Sequence, residues 1–115
     1  MPRIIGVHEI ELRPGVDPAE FERVAAEVVS LPMMAGWTTR LLKGERGARA
    51  GRYLLVFEIT SPAARDRYFP AENQVSEEEM GRFDEQNPQA AEAWERLHAM
   101  RTDTDVATDY VVVAE

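Results

Sequence analysis

From Ile4 to Leu12 the side chains alternate: Ile4, Gly6, His8, Ile10 and Leu12 on one side, Ile5, Val7, Glu9 and Glu11 on the other. A period of two predicts a strand, and the apolar start of both sides predicts that both are covered. Arg13-Pro14-Gly15 ends it. Asp17 then stands where a helix cap is needed, with Pro18 at the first helical position and Glu20 three residues on, a capping-box spacing. Phe21, Val24, Ala25, Val28 and Val29 recur at helical spacing to about Ser30, and Leu31-Pro32 closes the helix.

Two more strands follow. Trp37, Thr39 and Leu41 alternate with Thr38, Arg40 and Leu42. Tyr53, Leu55, Phe57 and Ile59 alternate with Leu54, Val56 and Glu58, the most strand-like run in the chain. A charged connection punctuated by Gly44, Gly47 and Gly51 joins them. Ser61-Pro62 predicts a short helix to about Tyr68, ended by Pro70. Ser76 and Glu79 predict a second helix to about Gln86, and Asn87-Pro88 a third, with Ala90, Ala91, Trp94 and Leu97 turned inward. Residues 101–108 read as loop and Tyr110 to Ala114 as the closing strand. This order, β-α-β-β-α-β with extra helical pieces in the second crossover, predicts a ferredoxin-like α+β fold with a four-stranded antiparallel sheet. Helices cover one face of such a sheet, and an apolar face left bare predicts a partner or a ligand.

Length and charge narrow the function classes. A chain of 115 residues suits one domain, residues 1–115, with enough buried surface to fold unaided. It has no cysteine, which excludes disulfides, thiolate metal sites and cysteine nucleophiles, and which suits a reducing cytoplasm. The formal net charge of -8 has the wrong sign for a nucleic-acid binder or an anionic membrane surface. The apolar run at the start is soon broken by His8 and Glu9, so it does not read as a signal peptide, and no stretch approaches the roughly 18 apolar residues of a membrane span.

His8-Glu9-Ile10-Glu11-Leu12-Arg13-Pro14-Gly15-Val16-Asp17, Gly36-Trp37, Gly51-Arg52-Tyr53-Leu54-Leu55-Val56-Phe57-Glu58 and Arg65-Asp66-Arg67-Tyr68-Phe69-Pro70 resemble the dimeric α+β barrel superfamily, with its stress-responsive and antibiotic-biosynthesis-monooxygenase-like small proteins. The resemblance implies a homodimer whose two sheets face each other, with a pocket in each subunit. It implies cofactor-free oxygenation, cyclisation or isomerisation of an apolar, oxygenated compound, polyketide- or quinone-like. It also leaves open haem or aromatic-ligand binding and a non-catalytic structural or regulatory dimer, because fold does not fix function. The histidine that plant polyketide cyclases of this group carry after the third strand corresponds to Glu72 here, and their tyrosine to Asp66, so that acid–base pair is not reproduced. The first-strand histidine, His8, does match, and in such proteins it points into the pocket.

His8 on an apolar strand face can take or relay a proton near neutral pH, or ligate a haem iron; the alternative is a hydrogen-bonded core histidine. Tyr53 and Arg40, on adjacent strands, can hold a developing oxyanion; the alternatives are a core aromatic residue and a solvated arginine. Ile10, Leu12, Trp37, Phe57, Tyr68, Phe69 and Asn73 are the candidate pocket lining, and Trp94 a further aromatic wall. Glu58 interrupts an apolar face and is either a base or the partner of an arginine; His98 falls just off its helix stripe and reads as a surface residue. Asp103, Asp105 and Asp109 lack the glycine turn and closing glutamate of a calcium loop, two distant histidines make no zinc site, and the glycines at 44, 47 and 51 precede a strand and so form no nucleotide loop. No resident metal or cofactor is expected.

Overall fold

The computed structural model describes residues 2–103 and 106–115. Among them, β1 (Ile4–Ile10), β2 (Trp37–Lys43), β3 (Tyr53–Ile59) and β4 (Val106–Val111) form one sheet in the order β2-β3-β1-β4. Every neighbouring pair is antiparallel. The helices are α1 (Pro18–Ser30), α2 (Pro62–Tyr68), α3 (Glu77–Gln86) and α4 (Pro88–Ala99). None of them is long and apolar enough to cross a membrane.

The helix boundaries follow the caps. The Asp17 carboxylate accepts from the Ala19 N–H at 3.2 Å, Ser61 Oγ from the Ala64 N–H at 3.1 Å and Ser76 Oγ from the Glu79 N–H at 3.3 Å. Each satisfies a donor that the first helical turn leaves without a partner. The reciprocal arm expected of a capping box is used elsewhere. Glu20 pairs with Arg23, and Glu79 pairs with Arg67 at 2.9 Å and Arg82 at 3.0 Å. Asn87 occupies the cap position of α4, yet its side-chain amide donates back to the Phe83 carbonyl at 3.1 Å and so closes α3.

Three boundaries differ from the sequence expectation. β1 stops at Ile10, because beyond it Leu12 makes only an isolated bridge, to Arg101. The closing strand is Val106–Val111, earlier than Tyr110 to Ala114, and takes up the end of the expected 101–108 loop. Position 104 of that loop, and Asp105 of the acidic trio, lie outside the described residues. β4 is a sheet edge with exposed side chains throughout, so no buried stripe marks it in the sequence. On α1, Val29 is exposed, and the buried stripe is Phe21, Val24, Ala25 and Val28.

Register assigns the two faces, since directly paired residues point the same way. Ile10 pairs with Tyr53, His8 with Leu55 and Ala107, Gly6 with Phe57 and Asp109, and Ile4 with Ile59. This face meets the helices. Ile10, Tyr53 and Leu55 pack with Phe21, Val24, Ala25 and Val28 of α1 and with Ala93 and Leu97 of α4. At the other end Ile4, Ile59 and Trp37 pack with Met34 and Tyr68. The opposite face carries Ile5, Val7, Leu54 and Val56, flanked by Leu42, Val106 and Tyr110, and no helix lies over it.

Candidate functional site

Between those two core clusters the helix-side face of the sheet opens into a cavity of about 1470 Å³. That exceeds the roughly 300–1,000 Å³ of common small-molecule sites, and the cavity opens to solvent as a broad groove. Its floor is Gly6 and His8 of β1, Leu55, Phe57 and Ile59 of β3, Trp37 of β2, and Ala107 and Asp109 of β4. Its walls come from Met33 and Met34, from Arg65 and Asp66 on α2, from the segment Phe69 to Val75, from Met80, Phe83 and Asp84 on α3, and from Ala91, Trp94, Glu95 and His98 on α4.

Phe57 organises the aromatic part. The His8 ring meets it edge-on at 5.3 Å, Trp37 meets it edge-on at 5.7 Å, and Trp94 stacks on it at 5.8 Å with 25° between planes. Trp94 continues to His98 at 6.0 Å, and Trp37 to Phe69 at 5.6 Å. Such offset and edge-to-face pairs hold rings in place without closing the space in front of them. Trp37 is fixed further by its indole N–H, which donates to the Ala64 carbonyl at 3.1 Å. Gly36 makes that approach possible: at φ 85° it occupies the left-handed region, and a Cβ there would stand 2.8 Å from Thr60 Oγ1 and 3.1 Å from the Ala64 Cβ.

The charged part sits beside β4. Arg65 donates from Nε to Asp66 at 3.0 Å and from Nη1 to Asp109 at 3.2 Å, and these bonds, Asp66 first, hold its guanidinium above the ordinary arginine range. A Cβ on Gly6 would lie 3.1 Å from Asp109 Oδ1, so the glycine leaves room for that carboxylate over the strand. Asn73, in the left-handed region at φ 61°, turns the segment that borders the cavity, a conformation asparagine tolerates. Among the described residues no group of three or more histidine, aspartate or glutamate side chains is placed to hold a metal ion.

The sequence candidates therefore separate. His8, Trp37, Phe57, Phe69 and Asn73 line this cavity, as do Trp94 and His98. His98, exposed as expected, also forms part of the wall. Tyr68 is buried in the core cluster behind it. Tyr53 shares the His8 face but lies under α1, where its hydroxyl donates to Glu22 at 2.5 Å. Burial first, and then this bond, raise the Tyr53 phenol above its ordinary value. Ile10 and Leu12 line, with Tyr53, a smaller cleft of about 290 Å³ away from His8. Arg40 points to the helix-free face and pairs with Glu58 at 3.2 Å, and Arg3 pairs with the same carboxylate. The arginine-partner reading of Glu58 thus holds. Arg65 and Asp109 were not marked as site residues from the sequence, where Asp109 entered only in the acidic trio. No local motif marks either, because they meet only when α2 and β4 come together.

No protein-family model matches the chain, and no curated protein sequence matches it. Solved structures do. SnoaB from Streptomyces nogalater, a cofactor-independent oxygenase whose structure is of the N63A mutant, superposes with a TM-score of 0.60 at 16% identity, covering 98% of this chain and 95% of that one. A dimeric protein of unknown function and ferredoxin-like fold from Bacteroides fragilis gives 0.57 at 13%, covering 96% of each. The fold is ferredoxin-like. The heme-degrader MhuD from Mycobacterium tuberculosis, solved with two hemes in its active site, shares this ferredoxin-like fold at a TM-score of 0.56 and 18% identity, covering 97% of each chain.

Proposed function

We propose that the chain is a small-molecule enzyme that acts on a planar, apolar, oxygenated compound, polyketide- or quinone-like, in the aromatic cavity, with His8 as the proton acceptor. The observation that carries the reading is the His8 imidazole set edge-on against Phe57 in a groove walled by Trp37, Phe69 and Trp94. Flat rings of a substrate fit against such walls, and an imidazole among them offers a ring nitrogen that can accept a proton. Cofactor-free oxygenation, cyclisation and isomerisation share one first step: a base takes an acidic C–H or O–H proton and leaves an enolate or phenolate. His8 takes that proton. Tyr53 and Arg40 stand outside this step, since neither borders the cavity. The fold shared with SnoaB supports the reaction class.

The second copy completes the molecule. The helix-free face is apolar at its centre and flanked by exposed Leu42, Val106 and Tyr110. A homodimer that closes two such faces on each other buries this surface. A monomeric mass at micromolar concentration would overturn the dimer, and Tyr110→Asp is expected to shift the mass toward the monomer.

Haem is the competing ligand for this cavity, and His8 or His98 would hold its iron there. Its two carboxylates need cations. Arg65 is already shared by Asp66 and Asp109, so the charges on the wall do not suit a dianionic porphyrin. The test is a thermal-shift and turnover screen with quinones, phenolic polycycles, small lactones and haem against wild type and His8→Ala. A ligand at 100 times its Kd adds about 2.7 kcal/mol of stability. A substrate that shifts both proteins but turns over only with wild type supports the assignment. Undiminished turnover by a folded His8→Ala sinks it. A His8-dependent Soret shift moves it to haem, and a flat response across the panel favours a non-catalytic dimer.

A further inference from the structure

We propose that the cavity selects its ligand by charge, taking a cationic planar aromatic molecule in preference to a neutral one and a neutral one in preference to a carboxylate. The inference rests on the reading of the cavity as a ligand site and concerns the charge a ligand brings from solvent; an enolate formed inside by proton transfer is offset by the imidazolium of His8 that the same transfer creates.

The aromatic floor and the charged wall point the same way. Five carboxylates line the cavity, those of Asp66, Glu72, Asp84, Glu95 and Asp109, against two guanidiniums, those of Arg65 and Arg101. Asp66 and Asp109 are engaged by Arg65. Glu72, Asp84 and Glu95 are exposed and form no ion pair among the described residues. They come from three different segments: the turn before α3, α3 itself and α4. All three line the same cavity, so their negative fields add there. Inside, Trp37, Phe57, Phe69 and Trp94 line the cavity, and a ring face that a ligand reaches attracts a cation and repels an anion. Arg65 is a weak anion receptor here, because its Nε and Nη1 donate to protein carboxylates that offset its charge. An incoming carboxylate would meet a guanidinium whose charge Asp66 and Asp109 already offset, and would still face the other three.

Three naphthalene probes of nearly one shape isolate the effect: 2-naphthylmethylammonium, 2-naphthalenemethanol and 2-naphthoate. Affinities are measured by isothermal titration at low and at high ionic strength. At low salt the ammonium is expected to bind on the order of tenfold more tightly than the alcohol, and the naphthoate correspondingly more weakly. High salt is expected to compress the order, because these carboxylates are exposed. The triple variant Glu72→Gln, Asp84→Asn, Glu95→Gln is expected to bring the three affinities together with the melting temperature unchanged. Trp94→Ala is expected to weaken all three. If the alcohol binds but the order is absent or reversed, charge selection is overturned and the aromatic site stands. If no probe binds, both are overturned.

Discussion

Where α1 and α4 lie against the sheet, Phe21, Leu55, Ala93 and Leu97 meet and are almost wholly removed from solvent. Beside Leu55 at His8, and at the next same-face pairing of Gly6 with Phe57, the same sheet face opens into the cavity. The two regions share strands, face and register. What differs is the layer above. α1 and α4 pack on each other and on the strands, whereas α2 and α3 stand at the margin and hold the groove open. The closed region carries stability, and the open one leaves aromatic faces available to a ligand.

The largest expected effect breaks the closed region. Phe21→Ala removes a ring that is 1% exposed, and truncation of such a side chain costs about 3–5 kcal/mol. Urea unfolding measures it. Trp94→Ala, on the half-exposed wall of the cavity, is expected to cost clearly less stability but to weaken aromatic-ligand binding. Equal losses of stability in the two variants would erase the distinction.

Gly36→Ala comes next. It combines a positive φ with the approach to Thr60 and Ala64, and strain of this kind costs about 1–3 kcal/mol. The backbone that presents Trp37 should shift with it, so ligand affinity is expected to fall together with the melting temperature. A wild-type melting temperature would show that the turn relaxes freely.

The smallest effect belongs to the Tyr53–Glu22–Lys43 cluster at the edge of the closed region. The Tyr53 hydroxyl, and after it Lys43, hold the Glu22 carboxyl below its ordinary 4.5. A depressed acid stabilises the fold fully above its unfolded value, so this contribution is complete above pH 4.5 and is lost as pH falls through the lower folded value. The Tyr53 phenol and the Lys43 ammonium lie above their ordinary 10.0 and 10.5. Their contributions are complete below those values and are lost as pH rises through the folded ones. Tyr53→Phe is expected to move the Glu22 titration, followed by carboxyl NMR, up toward 4.5 and to leave the turnover proposed for the cavity intact. An unmoved Glu22 titration would mean the hydroxyl does not hold it, and lost turnover would return Tyr53 to the reaction.

The closed region was the more legible one. The Phe21, Val24, Ala25 and Val28 stripe and the alternation of Tyr53, Leu55, Phe57 and Ile59 are local patterns that state which side is buried. The caps at Asp17, Ser61 and Ser76 are local as well, because a side chain and an N–H two or three residues away suffice. β4 was misplaced by four residues at its start, since an exposed edge strand carries no such pattern. In the open region the sequence marked His8, Trp37, Phe57, Phe69 and Trp94 as residue types suited to a pocket, but gave no sign that Arg65 would reach Asp109 across 44 positions.

Element order, the capped helix starts and the buried stripes were determined by the sequence itself, because each depends on neighbours within a few residues. The tertiary structure alone decided that Arg40 lies behind the sheet from His8, that Tyr53 is tied to Glu22 under α1, and that carboxylates from separate segments gather at one mouth. Those facts depend on strand register and on which helices come to lie over which strands, and long-range packing sets both.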